Sequence, residues 1–251
     1  MKWRTLLLPI AAVLAFAPPA QSQTLIAQYF QCSTADEGEA DFIMNEVLGD
    51  VYDRHAEAGD ILGWGWVEHM AGGRWRRILT ITAADLTTAW DMWGEIFEAV
   101  TDEHPNAWHR FNEICPSHDD YIWDLTANSA NEEPGETPDM WASTYWVCDA
   151  TEEPRADELM QQMTAVLDQH IAAGHIGGWG WFSHVIGGRF RRLLTLTQAE
   201  DFNLLEGREM VVADLRSEHA DVLEEFGNIC TGHVDYVWAN ARDEDDEDND
   251  D

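Results

Sequence analysis

Positive charge is nearly missing from this chain. Lys2 is its only lysine, and Asp plus Glu outnumber Lys plus Arg by 48 to 14. A field of that sign makes nucleic acid and anionic membrane surfaces poor partners. No apolar run after residue 22 is long enough to cross a bilayer, so no membrane insertion is expected of the mature chain. The four cysteines form no Cys-x-x-Cys pair, and there is no His-x-x-x-His cluster, phosphate-binding loop or recognised nucleophile motif. The motifs therefore name no reaction, and no metal site is expected.

The two ends are distinctive. "MKWRTLLLPIAAVLAFAPPAQSQ" carries Lys2 and Arg4, an apolar run from Leu6 to Ala17, and small residues up to Ser22. It reads as a signal peptide over 1–22, so the expected location is secreted or periplasmic. The far end, 241–251, contains "DEDDEDNDD" from Asp243, which cannot bury apolar surface and is expected to be disordered. It holds only eight of the acids, so the body is acidic as well. Such a surface speaks to solubility before it speaks to a site.

Between the ends the chain repeats itself. "GWGWVEHMAGGRWRR" from Gly63 returns as "GWGWFSHVIGGRFRR" from Gly178, a shift of 115 residues that also pairs His55 with His170, His104 with His219, Cys115 with Cys230 and Tyr121 with Tyr236. Near the start the shift is 116, pairing Cys32 with Cys148 and Asp41 with Asp157, so the second copy has lost a residue in its first helix. Units of this size are domains. The expected division is 26–125 and 143–240, joined by an acidic, Pro/Gly-containing linker over 126–142.

Within each copy the periodicity changes in a fixed order. "IAQYFQC" is a strand, and "EADFIMNEVLGDVYDRHAEAG" is a helix closing at Gly59. "ILGWGWVEH" alternates with period two, "AGG" turns, and "RWRRILTIT" is a second β-branched strand. An amphipathic segment from Asp85 to Ile114 follows, broken near Pro105, and "DDYIWDL" ends the copy. The fold class is α+β: two tandem ferredoxin-like βαββαβ domains. With strand order 4-1-3-2, the end of strand one lies beside the start of strand four, which predicts disulfides Cys32–Cys115 and Cys148–Cys230 in an exported protein.

Two such units, with Trp-rich second strands, a histidine on the first helix and a Gly-rich hairpin, resemble the dimeric α/β barrel superfamily. That superfamily includes antibiotic-biosynthesis-type monooxygenases and the chlorite-dismutase and haem-degrading branches. The resemblance implies two sheets enclosing a cavity, here within one chain as an intramolecular α/β barrel, and it makes haem one conceivable cofactor. A further homodimer through exposed strand edges is a partner expectation.

Alternation along the strands then suggests what lines the cavity. Glycines suit a close helix approach, so Gly63, Gly65, Val67 and His69 are assigned to the helix face, and Trp64, Trp66 and Glu68 to the barrel. Leu79 and Ile81 go to the helix face, and Arg76, Thr80 and Thr82 to the barrel. The candidate ligand-binding residues are Trp64, Trp66, His69, Arg76, Trp179, Trp181, His184 and Arg191. The tryptophans are equally readable as core. The hairpin arginines either neutralise acids such as Glu68 and hold the halves together, or clamp an anion at the barrel mouth. The chain is thus expected to bind a small molecule, planar or apolar and conceivably anionic, as a carrier or an enzyme. The alternative is a non-catalytic interaction protein acting through its acidic surface and tail.

Overall fold

A computed structural model describes residues 23–130, 138–200 and 202–242. The expected signal peptide, the middle of the linker and the acidic tail from Asp243 lie outside the described residues.

The first half runs β1 (Thr24–Gln31), α1 (Glu37–Ile43), a π-helical turn (Met44–Leu48), α2 (Gly49–Ala58), β2 (Gly63–Ala71), β3 (Arg77–Ala83), α3 (Leu86–Glu103), α4 (Pro105–Ile114) and β4 (Ser117–Ala130). The second runs β5 (Met140–Val147), α5 (Glu153–Ala172), β6 (Gly178–Ile186), β7 (Arg192–Thr197), α6 (Leu204–Glu218), α7 (Ala220–Ile229) and β8 (Gly232–Asn240). The π-helical turn accounts for the change of shift. One extra residue between Asp41 and Asp53 is absorbed as a wider turn, where α5 runs as regular α-helix. Pro105 starts α4 after the break at His104, as its missing N–H permits.

All strand pairs are antiparallel, and the sheet closes as β1-β3-β2-β8-β5-β7-β6-β4. Each half contributes the expected order 4-1-3-2. The halves join at two seams, β4 with β6 and β2 with β8. Closure removes, among the described residues, the free strand edges through which a homodimer was expected. Residues 126–130 are also not linker: they extend β4 along β6, and the Thr126 hydroxyl donates to the Trp181 carbonyl at 3.0 Å. The disulfides Cys32–Cys115 and Cys148–Cys230 form as expected, and they point to an oxidising compartment.

The barrel axis is filled, not hollow. Tyr29, Trp75, Tyr121, Trp123, Tyr145, Phe190, Tyr236 and Trp238 are buried in one interior cluster with Val67, Ile78 and Leu193. Trp75 stacks on Tyr29 at 4.2 Å, and Tyr29 meets its repeat partner Tyr145 edge-on at 5.6 Å. Each Gly-Gly hairpin crosses onto the other half. Gly72 and Gly187 adopt φ of 129° and 142°, which suits only glycine, and Gly73 and Gly188 lie against the hydroxyls of Tyr236 and Tyr121.

Candidate functional site

The tryptophans of the second strands do not enter the barrel. Trp64 and Trp66 lie beneath the helices, in one cluster with Met44, Leu48, Ile96 and Phe111. On that face their indole N–H groups find carboxylate acceptors, which the buried indoles of Trp123 and Trp238 inside the barrel lack. Asp53 on α2 accepts from Trp64 at 2.8 Å and Asp41 on α1 from Trp66 at 2.9 Å. The second half repeats this, with Asp168 accepting from Trp179 and Asp157 from Trp181, both at 2.9 Å. The face assignment of β2 is therefore reversed. Val67 joins the barrel interior, His69 meets the barrel rings of Tyr236 and Trp238, and Gly65 faces Thr80 because a Cβ would stand 2.8 Å from its hydroxyl. Leu79 and Ile81 do pack under the helices.

The hairpin arginines bind the first helix of their own half. Arg77, 4 % exposed, forms a fork with Asp41, both bonds 2.6 Å, and Arg192 does the same with Asp157 at 2.7 Å. Arg76 bonds Glu37 at 2.6 Å, and Arg191 bonds Glu153 at 2.5 Å. Glu68, the acid expected across the hairpin, comes only to 4.0 Å of Arg77. Burial pushes the Glu37 and Glu153 carboxyls up, but the bonded arginines outweigh it and hold both below the usual carboxylate range. Arg76 and Arg191 are thus already occupied by carboxylates.

His69 and His184 line the barrel at the two seams. His69 Nδ1 lies 2.6 Å from Arg76, and His184 meets the edges of Tyr121 and Trp123. Burial, aided by Arg76 or Arg191, pushes both imidazoles below the ordinary value. Among the described residues, no group of three or more His, Cys, Asp or Glu could hold a metal ion.

A crevice lies outside the barrel, between its sheet and α5, α6 and α7 of the second half. This crevice has a volume of about 450 Å³. Met160, Met163, Leu167, Trp181, Val212 and Leu223 are among its apolar walls, so Trp181 is the one candidate residue on it. At the mouth Asp235 accepts from Thr144 at 2.7 Å and from Arg208 at 3.1 Å. Arg216, also at the mouth, makes no ion pair with a described residue.

The repeat explains why the crevice is there. At the shift of 115, Arg208, Val212 and Leu223 correspond to Trp93, Phe97 and Trp108 of the first half. Trp93 and Trp108 pack against the first core, Trp108 stacks on Phe111 at 5.6 Å, and Phe97 meets Trp108 edge-on at 5.6 Å. With Leu167, which corresponds to the buried Tyr52, four crevice positions of the second half lack the ring of the first, and the crevice lies among them. Comparing the two copies position by position would have found it.

Haem needs an axial ligand aimed at its iron. The crevice wall carries one histidine, His233, which is 53 % exposed at the mouth with Nε2 turned to Asp235 at 3.5 Å. The second-half cysteines are joined to each other. The crevice wall thus offers neither a histidine turned into the space nor a free thiolate; the thioethers of Met160 and Met163 are the other haem-ligand type on it.

Neither a family model nor a curated protein matches the sequence. Solved structures do match the fold. A chlorite dismutase variant from Candidatus Nitrospira defluvii superposes with a TM-score of 0.56 at 12 % identity, over 87 % of this chain and 92 % of that one. A protein from Lactobacillus acidophilus proposed as a monooxygenase gives 0.53 at 6 % identity, over 88 % and 97 %. An anthrone oxidase-like protein gives 0.52 at 11 % identity, over 88 % and 94 %. At these identities the likeness is one of fold: a dimeric α/β barrel with both halves in a single chain.

Proposed function

We propose that this chain is an exported binding protein, secreted or periplasmic, for an apolar or planar small molecule held in the crevice of its second half. The observation that carries the reading is the loss of aromatic side chains at four repeat-related positions, which accompanies a pocket of ordinary ligand size in the second half. The body of the ligand lies between Trp181 and the methionines of α5, and its polar or acidic end sits at the mouth, near Arg216. The hydroxyl on the wall, Thr144, donates to Asp235, whose same oxygen is also held by Arg208, and the role proposed is binding and not a named reaction.

Native mass spectrometry of protein exported by its own host tests this. Val212→Phe with Leu223→Trp restores the first-half residues and fills the crevice. Extra non-covalent mass on the wild-type ion that is absent from the double variant supports the reading. The same mass on both places the ligand elsewhere and refutes it.

The filled barrel favours a second reading, a non-catalytic protein acting through its acidic surface and tail. Deleting residues from Asp243 onward would then abolish cation or partner binding while leaving the crevice untouched.

A further inference from the structure

A second cleft, about 580 Å³ and open to solvent, lies at the barrel end between the two Gly-Gly hairpins. Its lining is nearly symmetric under the repeat: Gly73 with Gly188, Arg74 with Arg189, Trp75 with Phe190, Tyr121 with Tyr236. The charge symmetry of the lining fails where Asp119 of the first half corresponds to Val234 of the second.

That difference changes the electrostatics. Asp119 accepts from Arg74 at 2.7 Å and from the Trp75 indole at 2.6 Å, so the first-half cation is neutralised. Arg189 faces a valine instead. It makes no ion pair with a described residue, although the chain carries 48 acids, and its guanidinium rests 5.0 Å from the Phe190 ring centroid. The charged side chains of the cleft are Arg74, Arg189 and Asp119, which leave one net positive charge in a chain of formal net charge −34. Trp75 and Phe190, 3 % and 5 % exposed, meet edge to face at 5.8 Å and close the bottom of the cleft with one ring face and one ring edge. The Tyr236 hydroxyl accepts from the Trp75 backbone N–H at 3.5 Å, which leaves its own proton free to donate.

We infer that this cleft is an anion site for a carboxylate carried on a small aromatic body. Arg189 takes the carboxylate in a fork, and the rings of Trp75 and Phe190 take the body. The site is separate from the second-half crevice and shares no lining residue with it.

The test is calorimetric titration of the full exported chain with 2-naphthoate, and with uncharged 2-naphthylmethanol as control. Val234→Asp restores the missing acid and should neutralise Arg189; Arg189→Gln removes the cation at an exposed position and keeps the test valid if the first variant folds poorly. Saturable naphthoate binding by wild type, weakened about tenfold or more in both variants and absent for the alcohol, supports the site. The crevice-filling pair Val212→Phe and Leu223→Trp should leave naphthoate binding unchanged. No binding by wild type, equal binding by Arg189→Gln, or loss of binding only in the crevice-filled protein each overturns the proposal, and the last of these favours the crevice as the sole site.

Discussion

Substituting Gly73 by alanine should destabilise the protein through the other half of the molecule. A Cβ at Gly73 would stand 2.3 Å from the Tyr236 hydroxyl and 2.9 Å from the ring carbon that bears it. Tyr236 cannot retreat: it is 4 % exposed and stacked between Trp75 at 5.1 Å and Trp238 at 4.9 Å. Overpacking of this kind costs about 1–3 kcal/mol, and a contact this short against immobile rings belongs near the top of that range. For a folded unit of this size, about 3 kcal/mol corresponds to a melting temperature lower by roughly 6–12 °C. Tyr236→Phe alone loses one long hydrogen bond from Trp75, worth about 1 kcal/mol. Combined with Gly73→Ala it removes the closest atom, so the double variant should be more stable than additivity predicts, by about 1 kcal/mol. Thermal and urea denaturation of the four proteins of this cycle measures the coupling. If Gly73→Ala melts within about 2 °C of wild type, or the two changes simply add, the interlocking of hairpin and tyrosine is refuted.

Three further outcomes follow from the geometry. Arg192→Met leaves Asp157 without its cation, while Glu153 keeps Arg191, and should cost about 3 kcal/mol in urea unfolding, the low end for a broken buried pair because Asp157 is 36 % exposed; a loss under about 1 kcal/mol would sink it. His69 and His184 have depressed values when folded, so the stability they contribute is complete above the ordinary histidine value of 6.5 and is lost as pH falls below it. Glu37 and Glu153 add a loss at lower pH, as they are protonated through their depressed folded values. Replacing both histidines by glutamine should flatten the first part of that profile in denaturant titrations between pH 7.5 and 5.5, and an unchanged slope would contradict the assignment. Replacing Cys148 and Cys230 together by serine opens a loop spanning 82 residues and should cost about 4 kcal/mol, read as a lower denaturation midpoint.

The repeat, the strand order and both disulfides were legible in the sequence because they rest on local periodicity and on cysteine positions that one topology brings together. The facing of β2 was not. "GWGWVEH" alternates two sets that could each be buried, and the choice rests on Asp41 and Asp53, distant in sequence from the indoles they accept from. A rule that glycines mark a close helix approach misled here, because Gly65 is required by Thr80 inside the barrel. The end of β4 reads as polar linker and becomes strand only because β6 from the other half pairs with it. The crevice has no motif; its signal is Trp93, Phe97 and Trp108 set against Arg208, Val212 and Leu223.

Joining the halves in one chain has a consequence for how they can change. In a barrel assembled from two identical subunits every substitution is made twice, so opening a crevice would thin both helical layers and removing an acid would expose two arginines. Here Val234 stands opposite a half that keeps Asp119, and Leu223 opposite one that keeps Trp108. One copy can remain the rigid member while the other diverges, at a stoichiometry that the covalent link fixes at one to one.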